Sequence, residues 1–160
     1  MPRIGITGHT NLSIRTLPLV AEGIRHALAD HPAPELVGLT CLARGADQVF
    51  ARVVLDLGGT VGVVLPAADY RDRQVNDDNL AEFDDLLGKA TAVHTMPFPE
   101  SGPEAYMAAG EHMLDNVDVL LAVWDGGPSG GYGGTADVVA VALERSLPVT
   151  VIWPAGAERG

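Results

Sequence analysis

Cysteine is nearly missing from this chain. Cys41 stands alone, which excludes an intrachain disulfide and leaves no thiolate metal site, so a reducing cytoplasm is the expected location. Aromatic residues are also scarce, at 5% against 47% apolar overall, so the core has to be built from Val, Leu and Ala. That composition suits helices packed on a Val-rich sheet. Basic residues are few, 10 against 21 acids, for a net charge of −11. A phosphate backbone is gripped by clustered Lys and Arg, so no polynucleotide partner is expected. No apolar run approaches the length of a membrane span, and no membrane is expected. Met1-Pro2-Arg3-Ile4 leads straight into a strand, so no signal peptide is expected either. The dinucleotide fingerprint G-x-G-x-x-G does not occur.

Glycine, by contrast, is concentrated. Asp125 to Thr135 reads D-G-G-P-S-G-G-Y-G-G-T, between the apolar run Val117–Trp124 and the helix-like segment Ala136–Ser146. A glycine-rich turn from a strand into a helix lets the backbone approach a ligand and presents unpaired N–H groups at the positive end of the helix dipole. Such a turn can cradle an anion, typically a nucleotide phosphate; a plain surface loop is the alternative. The rest of the chain alternates apolar runs with amphipathic stretches. Strands are predicted at Arg3–Thr7, Leu36–Thr40, Thr60–Leu65, Ala92–Thr95, Val117–Trp124 and Val149–Trp153. Helices are predicted near Arg15–Asp30 (with Leu19, Ile24 and Leu28 apolar), Ala46–Leu57, Asp78–Ala90, Pro103–Asn116 and Ala136–Ser146, with a polar loop over Ala67–Asp77. Continuous apolar strands alternating with helices predict a Rossmann-like, doubly wound α/β fold. Its sheet is expected to be mainly parallel, with about six strands and helices on both faces, in a single domain of 160 residues.

In such a fold the ligand crevice lies beyond the carboxyl ends of the strands. The residues that follow the predicted strands are therefore the site candidates. Gly8 permits a tight turn, and the hydroxyls of Thr7 and Thr10 can reach a phosphate or ribose. His9 can donate to a phosphate or act as a base, or be a surface or capping residue. Arg44 precedes Gly45 at the mouth of a helix, where it either grips a phosphate or pairs with Asp47. Gly45 and Ala46 open that helix and offer free amides. Tyr70 can stack on a base and Arg71 can meet a phosphate, or both can face solvent. Asp125 can accept from ribose hydroxyls or anchor the glycine loop. Gly131, Gly133, Gly134 and Thr135 form the cradle, with Thr135 as the N-cap of the last helix. Asp137 fits the first turn of that helix. Glu111, His112 and Asp115 read as a solvated face, so no metal is expected. The Ala-rich helices are compatible with a homo-oligomer.

Together these pieces resemble the SLOG superfamily, which groups LOG-like proteins with DNA-processing protein A. The matching segments are G-I-T-G-H at Gly5–His9, L-A-R-G-A-D at Leu42–Asp47, and V-L-P with a following Asp-Tyr at Val64–Tyr70. Further matches are L-L-A-V-W-D-G at Leu120–Gly126, G-G-T-A-D at Gly133–Asp137, and P-V-T-V-I-W-P near the end. The resemblance implies a Rossmann-like fold that binds a nucleotide or nucleotide-derived ligand, lined by the Gly-Gly-Thr loop and the Gly-Ala-Asp turn. The group includes cytokinin-activating phosphoribohydrolases, a DNA-binding recombination mediator and sensor modules. The hydrolases carry P-G-G-x-G-T-x-x-E, whose glutamate is catalytic. Aligned on Gly134-Thr135, that glutamate falls on Val138, and Asp137 is one residue early, about 100° away around a helix. The expectation is therefore binding or sensing of a nucleotide-like small molecule, with no cofactor. The alternative is cleavage of the N-glycosidic bond of a nucleoside monophosphate, with Asp125 or Asp137 supplying the carboxylate.

Overall fold

The computed structural model describes residues 3–74, 78–128 and 132–160. Six strands form one sheet: β1 (Arg3–Gly8), β2 (Val37–Thr40), β3 (Thr60–Leu65), β4 (Ala92–Thr95), β5 (Val119–Val123) and β6 (Val149–Ile152). Every pairing is parallel and the order across the sheet is β4-β3-β2-β1-β5-β6. The helices are α1 (Thr16–Leu28), α2 (Ala46–Asp56), α3 (Tyr70–Gln74), α4 (Leu80–Lys89), α5 (Pro103–Leu114) and α6 (Thr135–Glu144), with a 3-10 turn at Ala33–Glu35.

The chain steps outward from β1 to β4, returns to the other side of β1, and continues to β6. Right-handed crossovers in opposite directions place their helices on opposite faces. Accordingly α1, α2 and α4 pack together on one face, and α5 pairs with α6 on the other. Side-chain alternation along each strand serves both layers. Ile4 and Ile6 join the first layer with Phe50, Phe83, Leu121 and Val123, whereas Leu39 and Leu120 join Met113, Val138 and Ala142 in the second.

On α1 the buried stripe is Thr16, Val20, Ile24 and Leu28, one residue every turn. Leu19, predicted for that stripe, is instead 36% exposed at its edge. The polar stretch predicted as loop over Ala67–Asp77 contains α3, too short to show a helical period. Asp69, just before it, ties this region to the β4–α5 connection by accepting the Ser101 N–H and hydroxyl, both at 2.7 Å.

Candidate functional site

Strand order reverses between β1 and β5, so the loops that follow those two strands diverge and leave a crevice. A cavity of about 680 Å³ opens there, and it extends sideways to the loops after β2 and β3. Of the sequence-predicted candidates, Thr7, Gly8, His9, Arg44, Tyr70, Gly133, Gly134 and Thr135 line it; Gly45, Ala46 and Asp125 do not. Gly131 lies outside the described residues.

The floor is set by close packing of α2 beneath the end of β1. A Cβ on Gly8 would stand 2.4 Å from the Ala46 Cβ and 2.9 Å from the Val123 Cβ, so only glycine admits the helix this near. The α2 amides are correspondingly less available than expected. The Ala46 N–H donates to the His9 carbonyl at 3.3 Å, so this amide braces the β1 loop. Arg44 lines the cavity but pairs with Asp78 at 3.0 Å, not with Asp47. Asp47 is 6% exposed and is the one carboxylate in the lining among the described residues. Burial pushes its pKa up to about 7, opposed by hydrogen bonds from the backbone of Ala43 and Cys41. Burial likewise pushes the Cys41 thiol up, which favours its protonated form.

Tyr70 opens α3 and is 5% exposed, with its ring 6.2 Å from Phe83 and 6.3 Å from Tyr106. It is a wall of the cavity rather than a projecting platform, because two aromatic neighbours remote in sequence bury it. Arg71 points elsewhere: its guanidinium holds Asp84 through two hydrogen bonds at 2.8 and 2.7 Å. Two residues along, Arg73 reaches the cavity.

His9 is 8% exposed and meets Trp153 edge-on, ring centroids 5.6 Å apart. Its Nε2 accepts the Asp125 N–H at 3.1 Å and lies 3.2 Å from the Asp125 carboxylate. Burial, then the positive charge of Arg159, hold its pKa below the usual histidine value against the opposing pull of Asp125. A neutral ring that accepts at Nε2 carries its proton on Nδ1. His9 thus couples the β1 loop to the β5 loop, and Nε2 is not a donor for a phosphate. Asp125 takes the second of its expected roles: its carboxylate accepts the Gly127 N–H at 2.9 Å and starts the glycine loop. That hydrogen bond is the main reason its pKa lies below the usual carboxylate value.

The far end of the loop is fixed as firmly. Gly133 has φ +87°, and a Cβ there would lie 2.8 Å from the Pro103 carbonyl oxygen. Its N–H donates to Asp137 Oδ2 at 2.9 Å. Helix α6 begins at Thr135 with Gly134 as the N-cap residue and no side-chain cap, so Thr135 is the first helical residue and not the cap. Asp137 reaches back to the loop and does not line the cavity. Sequence reasoning missed Arg73, Arg159, Tyr106 and Tyr132 as lining residues. Tyr132 sits inside the glycine run and was within reach; the others come from positions with no local motif.

Solved structures place this architecture. The chain superposes on DNA processing protein A from Streptococcus pneumoniae with a TM-score of 0.69 at 17% identity, covering 98% of this chain and 52% of that one. It superposes on the molybdenum cofactor binding protein from Rippkaea orientalis with a TM-score of 0.60 at 19% identity, covering 94% and 75%. The molybdenum cofactor carrier protein from Chlamydomonas reinhardtii gives 0.58 at 21% identity, covering 94% and 75%. This chain shares with them a Rossmann-like α/β fold. No family model and no curated protein matches the sequence. The chain spans about half the length of the DNA processing protein A structure.

Val138 is the residue on which the motif comparison puts the hydrolase glutamate. Val138 lines the cavity, 4% exposed and packed against Gly110. The position faces the site, but the group it presents is apolar.

Proposed function

We propose that this protein binds a nucleotide or nucleotide-derived small ligand in the crevice between the β1 and β5 loops. One observation carries the reading: the glycine-loop residues Gly133, Gly134 and Thr135 share a lining with Arg44, Arg73 and Arg159. Three of the chain's 10 basic residues thus collect at one cavity on a molecule of net charge −11. Backbone at a helix start together with guanidinium groups is suited to a phosphate. Tyr70, Tyr106, Met113 and Val138 add an apolar surface suited to a flat heteroaromatic base. Proteins that share the fold bind or carry the molybdenum cofactor, which supports use of this fold for a small ligand.

Binding without hydrolysis is the expected behaviour, since Val138 replaces the carboxylate and neither Asp125 nor Asp137 lines the cavity. Thermal unfolding with AMP, NAD and ADP-ribose tests this. A ligand at about 100 times its Kd stabilises the folded state by about 2.7 kcal/mol, which moves the melting temperature by several degrees. If none of the three moves it at millimolar concentration, the proposal fails. Release of ribose 5-phosphate from AMP would replace binding with the hydrolase reading.

A further inference from the structure

One cation of the cavity comes from the other end of the sequence. Arg159 belongs to the segment Glu158–Gly160, which forms an antiparallel bridge to Leu12 in the loop after β1. The Ser13 N–H and the Thr16 hydroxyl donate to the Glu158 carbonyl at 3.2 and 3.0 Å, and the Glu158 N–H donates to Thr16 Oγ1 at 2.9 Å. Thr16 is fully buried, so this clamp is built into the core end of α1. On the other side of Arg159, the Gly160 N–H donates to the Asn11 carbonyl. The backbone is thereby held on both flanks while the arginine side chain, 42% exposed, lines the cavity.

The guanidinium is oriented but not consumed. Its Nε donates to Asn11 Oδ1 at 3.1 Å, which fixes the plane of the group. Nη1 stands 3.6 Å from Asp125 Oδ2, too far for a hydrogen bond, and the other Asp125 oxygen is already engaged by the Gly127 N–H. Donors on the terminal nitrogens are therefore available to an oxyanion. Arg44 differs, since Asp78 holds it at 3.0 Å.

We propose that Arg159, presented by the clamped Glu158–Gly160 segment, grips the phosphate of the ligand in this cavity. The assignment rests on the nucleotide reading above and adds to it a residue that no motif marks. Holding the segment in place before binding removes part of the ordering cost that a free arginine would carry.

Calorimetric titration of AMP and of adenosine into wild type, Arg159→Met and Arg159→Lys tests the assignment. Methionine keeps much of the aliphatic stem and loses the charge. Arg159→Met is expected to weaken AMP binding by about tenfold or more while adenosine stays within about twofold, with Arg159→Lys between. Wild-type affinity for AMP in Arg159→Met would overturn it, as would equal losses for AMP and adenosine, which would mark a general disturbance of the segment. The nucleotide site and the role of Arg159 fail on different results. Wild-type protein that binds neither AMP nor ADP-ribose removes the nucleotide reading and Arg159's role with it. Wild-type binding that Arg159→Met retains removes only the role of Arg159.

Discussion

Asp47 shows how much a single burial decides. Its carboxyl is 6% exposed and titrates near 7, against an ordinary value of 3.8, because the protein interior disfavours the charged form. The native state therefore binds a proton more tightly than the unfolded chain. Stability from this group is complete below about pH 4 and is lost as pH rises through 7. His9 acts in the opposite sense: its lowered pKa gives stability that is lost as pH falls through the folded value. Comparing wild type with Asp47→Asn cancels the His9 contribution. Asparagine keeps an oxygen for the Ala43 N–H and carries no charge. Asp47→Asn is expected to be more stable than wild type at pH 8, by up to about 4 kcal/mol for a three-unit shift, with the gain shrinking towards pH 5. Urea unfolding at the two pH values measures it; a gain independent of pH would show that Asp47 does not titrate in this way.

Gly8 is the complementary case, in which a residue is defined by what cannot be there. Alanine would have to occupy space 2.4 Å from Ala46 Cβ, between two backbone-fixed neighbours. Gly8→Ala is expected to cost about 3 kcal/mol by overpacking, read as a lower urea midpoint. A change under about 0.5 kcal/mol would mean that α2 yields easily. Gly8 was legible as a tight turn. The burial of Tyr70 was not, because its partners Phe83 and Tyr106 lie on α4 and α5 and no local pattern announces them.

Among the elements, the predicted strands agree with the observed ones to within a couple of residues. Most legible are β3 and β5, whose apolar runs are buried in the sheet, whereas the edge strand β4 is exposed along its length. Helix α3 escaped because five residues cannot display a period of 3.6. The start of α6 shows a further limit: a threonine before a helix suggests a cap, yet the loop is secured from inside the helix by Asp137. Removing that carboxylate should free the Gly133 amide before it unfolds anything else. Asp137→Ala is expected to lower stability by about 1 kcal/mol and to speed hydrogen exchange at Gly133 selectively. Unchanged exchange at Gly133 would place the anchor of the loop elsewhere, for instance in its close fit to Pro103.

For the molecule as a whole, fold likeness and charge point in different directions. The fold is shared with a DNA processing protein, yet this chain spans about half of that structure and carries a net charge of −11. Non-specific DNA binding is electrostatic and requires basic side chains that displace counterions from several phosphates. Here 10 basic residues face 21 acids, and the cavity arginines Arg44, Arg73 and Arg159 each have an acidic neighbour, Asp78, Asp69 and Asp125. A mononucleotide needs only the local cluster; a polymer must also approach the acidic surroundings. A labelled single-stranded oligonucleotide is therefore expected to show no anisotropy change with protein up to about 100 μM at about 50 mM salt, where non-specific binders with micromolar constants saturate. AMP is expected to bind under the same conditions. Salt-sensitive oligonucleotide binding at low micromolar protein would mean that the arginines act as a strand-binding surface despite the net charge. It would also move the function of the cavity from a small ligand to the end of a polynucleotide chain.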